Sequence, residues 1–242
     1  MIFAAGLGTR LRPITNDRPK AMVEVHGMPL LEIAIKRLKC FNITNIVINV
    51  HHYADMIEDF LAKKGNFGVN IEISDEREAL LNTGGGLKKA AHFFKGETDV
   101  LICNVDILSN IDLSQLIHTH QSSNALATLA VRNRESSRGL LFDKNQTLKG
   151  WHNKKTGESK PSNLAMEKLI DYAFSGIHVV STKLFELMPA QDEFSIIDVY
   201  LDAMQSHTLQ AYPHNEDVWL DVGKIPALKA AWKMLRHIDL CE

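Results

Sequence analysis

Met1-Ile2-Phe3-Ala4-Ala5-Gly6-Leu7-Gly8-Thr9-Arg10-Leu11-Arg12-Pro13, closed a few residues later by Pro19-Lys20, is the stretch from which the fold can be read. A short apolar run leads straight into two closely spaced glycines. The run reads as a strand, and glycine reaches backbone angles that let successive N–H groups turn toward an anion. Arg10, Arg12 and Lys20 add positive charge to that concavity. The segment therefore reads as a loop that holds the phosphates of a nucleotide. It is not a Walker loop, because no Gly-Lys-Ser/Thr follows, and Leu11 stands where a dinucleotide fingerprint would carry its third glycine. The strand has no lead-in, whereas strands usually run about five or six residues, which leaves room for a longer native start.

Outward from this loop, strand and helix signals alternate. Pro29 opens a helix over Leu30 to Phe41, with proline in the favoured first turn. Asn45 to Val50 is a β-branched strand, Ala54 to Lys63 an amphipathic helix, and Val69 to Ile73 the next strand. A loop then reaches Asn82-Thr83-Gly84-Gly85-Gly86, a helix runs from Leu87 to Phe94, and a strand over Asp99 to Cys103 ends at Asn104-Val105-Asp106. Such alternation predicts a mainly parallel sheet flanked by helices, a Rossmann-like α/β fold. Further on, Asp112 caps a helix over Leu113 to Gln121. Strands are expected at Ala125 to Val131, Leu140 to Phe142, around Trp151, at Tyr172 to Val180 and at Leu209 to Tyr212. Helices are expected at Phe194 to Met204 and Ile225 to Ile238, with a turn at Val218 to Gly223. No linker or repeat divides the chain, which reads as one domain, residues 1–242, with lobes of about 1–110 and 111–242.

The composition is that of an ordinary folded protein, 45% hydrophobic and 23% charged. A formal charge of −2 gives no footprint for nucleic acid, so any attraction for phosphate has to be local. Cys40, Cys103 and Cys241 are far apart in sequence and form no metal-binding spacing, so neither a disulfide framework nor a zinc site is expected. Cys103 reads as a buried small hydrophobe. With no secretory leader and no membrane-length apolar run, a cytoplasmic protein with no membrane partner is expected.

In an open α/β sheet ligands sit at the carboxyl ends of the strands. The Gly6–Lys20 loop, the Asn82–Gly86 segment and Asp106 all fall there. Asp106 follows its strand directly, which puts the carboxylate at the rim, and Asp221 lies in Trp219-Leu220-Asp221-Val222-Gly223. Two carboxylates beside a phosphate loop are the donor set with which Mg²⁺ is held against substrate phosphates. The adjacent His51 and His52 point to opposite sides of a strand end and read as structural. Arg132 and Arg134 border the second lobe, where they could reach a charged sugar, but read first as solvated loop residues, and Glu24 reads as a solvent-facing strand residue.

The string A-A-G-x-G-T-R-L-x-P-x-T followed by P-K resembles the signature of the sugar-1-phosphate nucleotidyltransferases. Asn104-Val105-Asp106 looks like that family's first metal motif and Trp219-x-Asp221-Val222-Gly223 like its second. Thr83–Gly86 and Phe174–Ile177 extend the likeness over nearly the whole chain, toward the small single-domain N-acetylmuramate-1-phosphate uridylyltransferase-like group. The resemblance implies a nucleotide-diphospho-sugar transferase (GT-A-like) fold, without the β-helix tail that some members carry. It implies transfer of a nucleotidyl group from a nucleoside triphosphate, UTP for that group, to a sugar-1-phosphate, with release of pyrophosphate. Arg10 and Lys20 would be catalytic, and Asp106 and Asp221 would hold Mg²⁺. Ala4, Ala5, Gly6, Gly8, Thr9, Arg10, Thr83, Gly84 and Gly85 would bind the nucleotide. Asn104, Ser175, Gly176, Ser195 and Asp198 would bind the sugar phosphate, and the protein would act as a monomer or small homo-oligomer. Val105 stands where the family commonly has glycine and Asn82 where the uridylyl group often has glutamate. These departures leave the sugar and base open: guanylyl, thymidylyl or cytidylyl transfer to another phosphorylated acceptor, or a catalytically weak nucleotide-binding regulatory protein on the same fold.

Overall fold

The computed structural model describes residues 1–241. Its first half is a run of parallel strands joined by helices: β1 (Ile2–Phe3), a small hairpin of β2 (Glu24–Val25) and β3 (Met28–Pro29), α1 (Leu30–Cys40), β4 (Asn45–Val50), α2 (Ala54–Lys63), β5 (Asn70–Asp75), α3 (Asn82–Ala90) and β6 (Asp99–Asn104). Strands β6, β1, β4 and β5 lie side by side and all parallel, as the alternation predicts. Strand β4 reads Asn-Ile-Val-Ile-Asn-Val with every residue after the first buried, because helices cover both of its faces.

After β7 (Ile107–Ser109) and α4 (Leu113–Gln121) the sheet grows mostly by antiparallel pairing. Its strands are β8 (Ala127–Arg132), β9 (Arg138–Phe142), β10 (Leu148–Asn153), β11 (Ser159–Lys160), β12 (Ile170–Ser181) and β13 (Leu209–Pro213), with α5 (Ile196–Ala203) before the last. The twelve-residue β12 is the joint. Its C-terminal half pairs antiparallel with β6, its N-terminal half with β9, and β8 follows both halves across a register shift between Phe174 and His178. That irregularity bends the strand at Ser175-Gly176, and bulges re-aim side chains where they occur. The result is one ten-stranded mixed sheet with a central parallel part. It passes unbroken between the halves of the chain.

Two apolar clusters sandwich the sheet. One gathers Leu30, Ile35, Ile57, Leu116 and Ala231 from α1, α2, α4 and α6 (Ile225–Leu235). The other gathers Leu87 of α3 and Val199 and Tyr200 of α5 with Leu129 and Phe142 of the sheet. Asp112 caps α4 as expected, accepting a hydrogen bond from the Gln115 amide at 3.0 Å.

Three local expectations are corrected. Asn82–Gly86 is not a loop but the first turns of α3, where Gly84 and Gly85 pack so closely on Asp192 and Phe194 that a Cβ would overlap them. The turn expected at Val218–Gly223 contains β14 (Trp219–Asp221), which pairs antiparallel with β7. Cys40 and Cys241 form a disulfide with Cα atoms 5.4 Å apart, since the chain after α6 returns to the end of α1. No helix among the described residues is long and apolar enough to cross a membrane.

Candidate active site

A cleft of about 500 Å³ opens at the carboxyl ends of β1, β4 and β6, between the Gly6–Lys20 loop and the bend of β12. Local geometry explains its loop wall. Gly8 has φ +63°, and a Cβ there would lie 3.0 Å from Thr15 Cγ2 and from Lys20 Cβ, so glycine alone lets the loop fold onto Lys20. Thr15 Oγ1 donates to the Gly8 carbonyl at 2.9 Å, and a single 3-10 turn at Thr9–Leu11 aims Arg10 into the cleft.

The floor is set by Asp106 and Lys20, which are ion-paired and shielded from water, with side chains 8% and 14% exposed. Asp106 is thus a floor residue and not the rim residue that its place after a strand suggests. Burial raises its carboxyl above the usual carboxylate range, against the opposing pull of Lys20. Asp221 reaches the same place through β-pairing. Strand β14 sets Asp221 directly opposite Ile107, and the Val222 amide donates to the Asp106 carbonyl at 2.9 Å. Asp221 Oδ1 accepts from the Gly223 amide at 2.7 Å, and Oδ2 faces Arg10 Nη2 at 4.0 Å. A Cβ on Gly223 would sit 2.6 Å from that guanidinium, so a side chain there would push Arg10 aside.

The wall across the cleft is the bend of β12. Gly176 has φ +75°, and a Cβ there would lie 2.7 Å from Asn104 Nδ2. Ser175 shares a 2.7 Å hydrogen bond with His214 Nε2, and its carbonyl accepts from Trp219 Nε1 at 2.9 Å. Burial holds the His214 ring neutral, its pKa lowered to about 4.

Ala5, Gly6, Arg10, Lys20 and Thr83 therefore meet Asn104, Asp106, Ser175, Gly176 and Asp221 around one space. The other expected residues stand behind it or away from it. The Ala4 amide donates to Asn49 Oδ1 at 2.7 Å, as does that of cleft-lining Ala5 at 3.4 Å. The Gly84 and Gly85 amides donate to the Phe194 carbonyl at 2.9 and 3.3 Å, while Gly8 and Thr9 shape the loop without lining the cleft. Ser195 caps α5 through its own Oγ, and exposed Asp198 pairs with Lys160 at 3.1 Å, so neither faces the cleft.

Sequence reasoning missed Asn49 and Glu76, and ranked reach to a charged sugar second to a solvated-loop reading for Arg134. Asn49 Nδ2 donates to Glu76 Oε1 at 2.7 Å, and the Leu81 amide donates to Glu76 Oε2 at 3.3 Å, so this buried pair ties β1, β4 and α3 together. Burial raises the Glu76 carboxyl. The available signal was an asparagine inside an otherwise apolar strand. Arg134 is not a solvated loop residue. It lines the cleft, and its guanidinium lies 4.4 Å from the Trp219 ring centroid.

The chemistry of this donor set fits a divalent cation. Two carboxylates converge on one space with only hard oxygen donors, and each already faces a cationic group. The match to a family model settles what kind of chain this is: the nucleotidyl transferase model covers residues 1–237. The chain belongs to the nucleotidyl transferase family. An N-acetylmuramate alpha-1-phosphate uridylyltransferase of Neisseria meningitidis serogroup B is 30% identical over 246 residues, covering 96% of this chain and 99% of its own. A UTP–glucose-1-phosphate uridylyltransferase of Synechocystis sp. is 29% identical over 98% of this chain, which spans only 62% of that longer relative. Among solved structures, a putative glucose-1-phosphate thymidylyltransferase from Bacillus anthracis in complex with sucrose superposes with a TM-score of 0.82 at 22% identity, covering 100% of this chain and 96% of its own. At that identity the likeness speaks for the nucleotidyl transferase fold alone.

Proposed function

We propose that the chain transfers a uridylyl group from UTP to a sugar-1-phosphate. The observation that carries this reading is the meeting of Arg10 and Lys20 of one loop with Asp106 and Asp221 from two distant segments in one cleft. A phosphate oxygen of the acceptor forms a bond to the α-phosphorus as the bond to the bridging α–β oxygen breaks, and pyrophosphate leaves with that electron pair. No general base is required, because a phosphate monoester with a second pKa of about 6 is largely dianionic at neutral pH. The protein's task is to orient two anions and to offset their charge.

In this reading the first lobe holds the nucleotide and the second the acceptor. Arg10 meets the β- and γ-phosphates, and Lys20 meets the phosphate being transferred. Asp106 and Asp221 hold Mg²⁺, which when bound neutralises phosphate charge. Asn104 and the Ser175-Gly176 bend face the sugar. UTP is favoured as donor by the names of the Neisseria and Synechocystis relatives.

The test is pyrophosphate release with Mg²⁺ across UTP, GTP, CTP, ATP and dTTP, each against a panel of sugar-1-phosphates. Release that requires UTP together with one sugar phosphate supports the reading. Release with another triphosphate overturns the choice of base, and silence from folded protein overturns the reaction.

A further inference from the structure

The cleft is lined by three cationic side chains, and two of them have acidic partners. Lys20 pairs with Asp106, and Arg10 faces Asp221. The third is Arg134, and among the described residues no carboxylate lies within ion-pair distance of it. A guanidinium removed from water without a counter-charge is costly unless something satisfies it. Arg134 is half-buried, and of its five N–H donors the protein engages few. Nη2 donates to the Phe174 carbonyl at 3.1 Å, Nη1 donates to the Glu135 carbonyl at 3.2 Å, and Nε is buried with no partner.

This side chain is also held in place. Its guanidinium packs on Trp219, whose indole is anchored to the Ser175 carbonyl, and Ser175 is held in turn by buried His214. A fixed guanidinium loses little freedom on binding, and it matches a carboxylate or phosphate with paired hydrogen bonds. Asp221 acts on it only from beyond ion-pair distance, its carboxylate being engaged by the Gly223 amide and faced by Arg10. The position matters as well. Arg134 stands on the wall made by the β12 bend and β14, across the cleft from the Gly6–Lys20 loop.

We propose that Arg134 reads a second negative group on the acceptor, a carboxylate or a phosphate remote from the anomeric phosphate. The preferred acceptor is then a sugar-1-phosphate with two anionic groups. This rests on the transferase reading above and narrows its substrate class.

The experiment compares acceptors with and without a second anionic group. N-acetylmuramate-1-phosphate against N-acetylglucosamine-1-phosphate tests a carboxylate, and glucose-1,6-bisphosphate against glucose-1-phosphate tests a phosphate. The wild type should favour the anionic member of one pair by roughly tenfold to a hundredfold in kcat/KM, the range for a charge-assisted contact. In Arg134→Gln that ratio should collapse toward one, whatever happens to the absolute rate, and in Arg134→Lys it should fall only in part. The lysine variant keeps the comparison open should the glutamine variant fold poorly.

A wild-type ratio near one in both pairs would overturn the proposal. So would an unchanged ratio in Arg134→Gln, which would mean that Arg134 serves the anomeric phosphate common to all four acceptors. The same ratios read as acceptor affinities by titration calorimetry need no turnover. A silent assay would thus sink the transferase reading, while the binding ratio would still decide the role of Arg134.

Discussion

The two acid–base pairs of the cleft carry the same charges in different surroundings. Lys20 and Asp106 sit on the floor, both nearly shut off from water, whereas Arg10 and Asp221 sit at the mouth with side chains 55% and 39% exposed. Removing one partner of a buried pair leaves an uncompensated charge in a poorly solvated place. An exposed pair at 4.0 Å is screened and contributes little to folding. The floor pair therefore supports the fold as well as the proposed chemistry, and the mouth pair the proposed chemistry alone.

The largest expected effect is on turnover. Asp106→Asn should lower Mg²⁺-dependent pyrophosphate release roughly a thousandfold, because it removes a floor ligand and its charge together. Near-normal rates would end its assignment as a metal ligand. Next comes stability, where Lys20→Ala should cost on the order of 3 kcal/mol in urea unfolding, and a loss below about 1 kcal/mol would erase the contrast between floor and mouth.

Acid tests the wall behind the mouth. Asp217 stands 3.5 Å from His214 Nδ1 without a hydrogen bond, so burial prevails and the pKa falls to about 4. Unfolded histidine titrates near 6.5, so between these values the unfolded chain binds the extra proton. The stabilising contribution of the neutral ring is whole above about pH 6.5 and falls away as the pH drops toward 4, by on the order of 3 kcal/mol. His214→Gln should flatten the slope of unfolding free energy against pH in that window. An unchanged slope would show that other groups set it, buried His178 with its pKa lowered to about 3 being the first to examine.

Gly85→Ala should cost roughly 1–3 kcal/mol, because the added methyl would overlap the Asp192 carbonyl. The smallest effect is Arg10→Ala, which should change unfolding free energy by less than about 1 kcal/mol while slowing turnover. A stability loss equal to that of Lys20→Ala would break the comparison outright.

What the sequence disclosed followed the range of the interactions involved. The βα alternation from β1 to β6 is written in local periodicity, and the Asp112 cap in a single residue type, so both could be read directly. The convergence of Asp106 and Asp221 could be suggested from residue type beside a phosphate loop and supported by a resemblance, but its geometry could not be read. It depends on β14 pairing with β7, three residues against three from distant parts of the chain, a signal too short for periodicity. Arg134 looked like a polar loop residue because its burial comes from Trp219 and Phe174, both remote in sequence. The Cys40–Cys241 bond was invisible for the same reason, its partners being 201 residues apart.

The glycine seam at the start of α3 has a wider consequence. The Gly84 and Gly85 amides grip the Phe194 carbonyl, and the Ile196 amide returns the tie to Thr83 Oγ1 at 3.1 Å. The back of the cleft is thereby sewn shut between one half of the chain and the other. The molecule is built as a drawer and not as a jaw, with a fixed depth and one open front. Parting the halves along this line to accommodate a new substrate would break these three hydrogen bonds. A change of preference has to be made residue by residue on the lining, which makes the few side chains at the front the place where new specificities would arise.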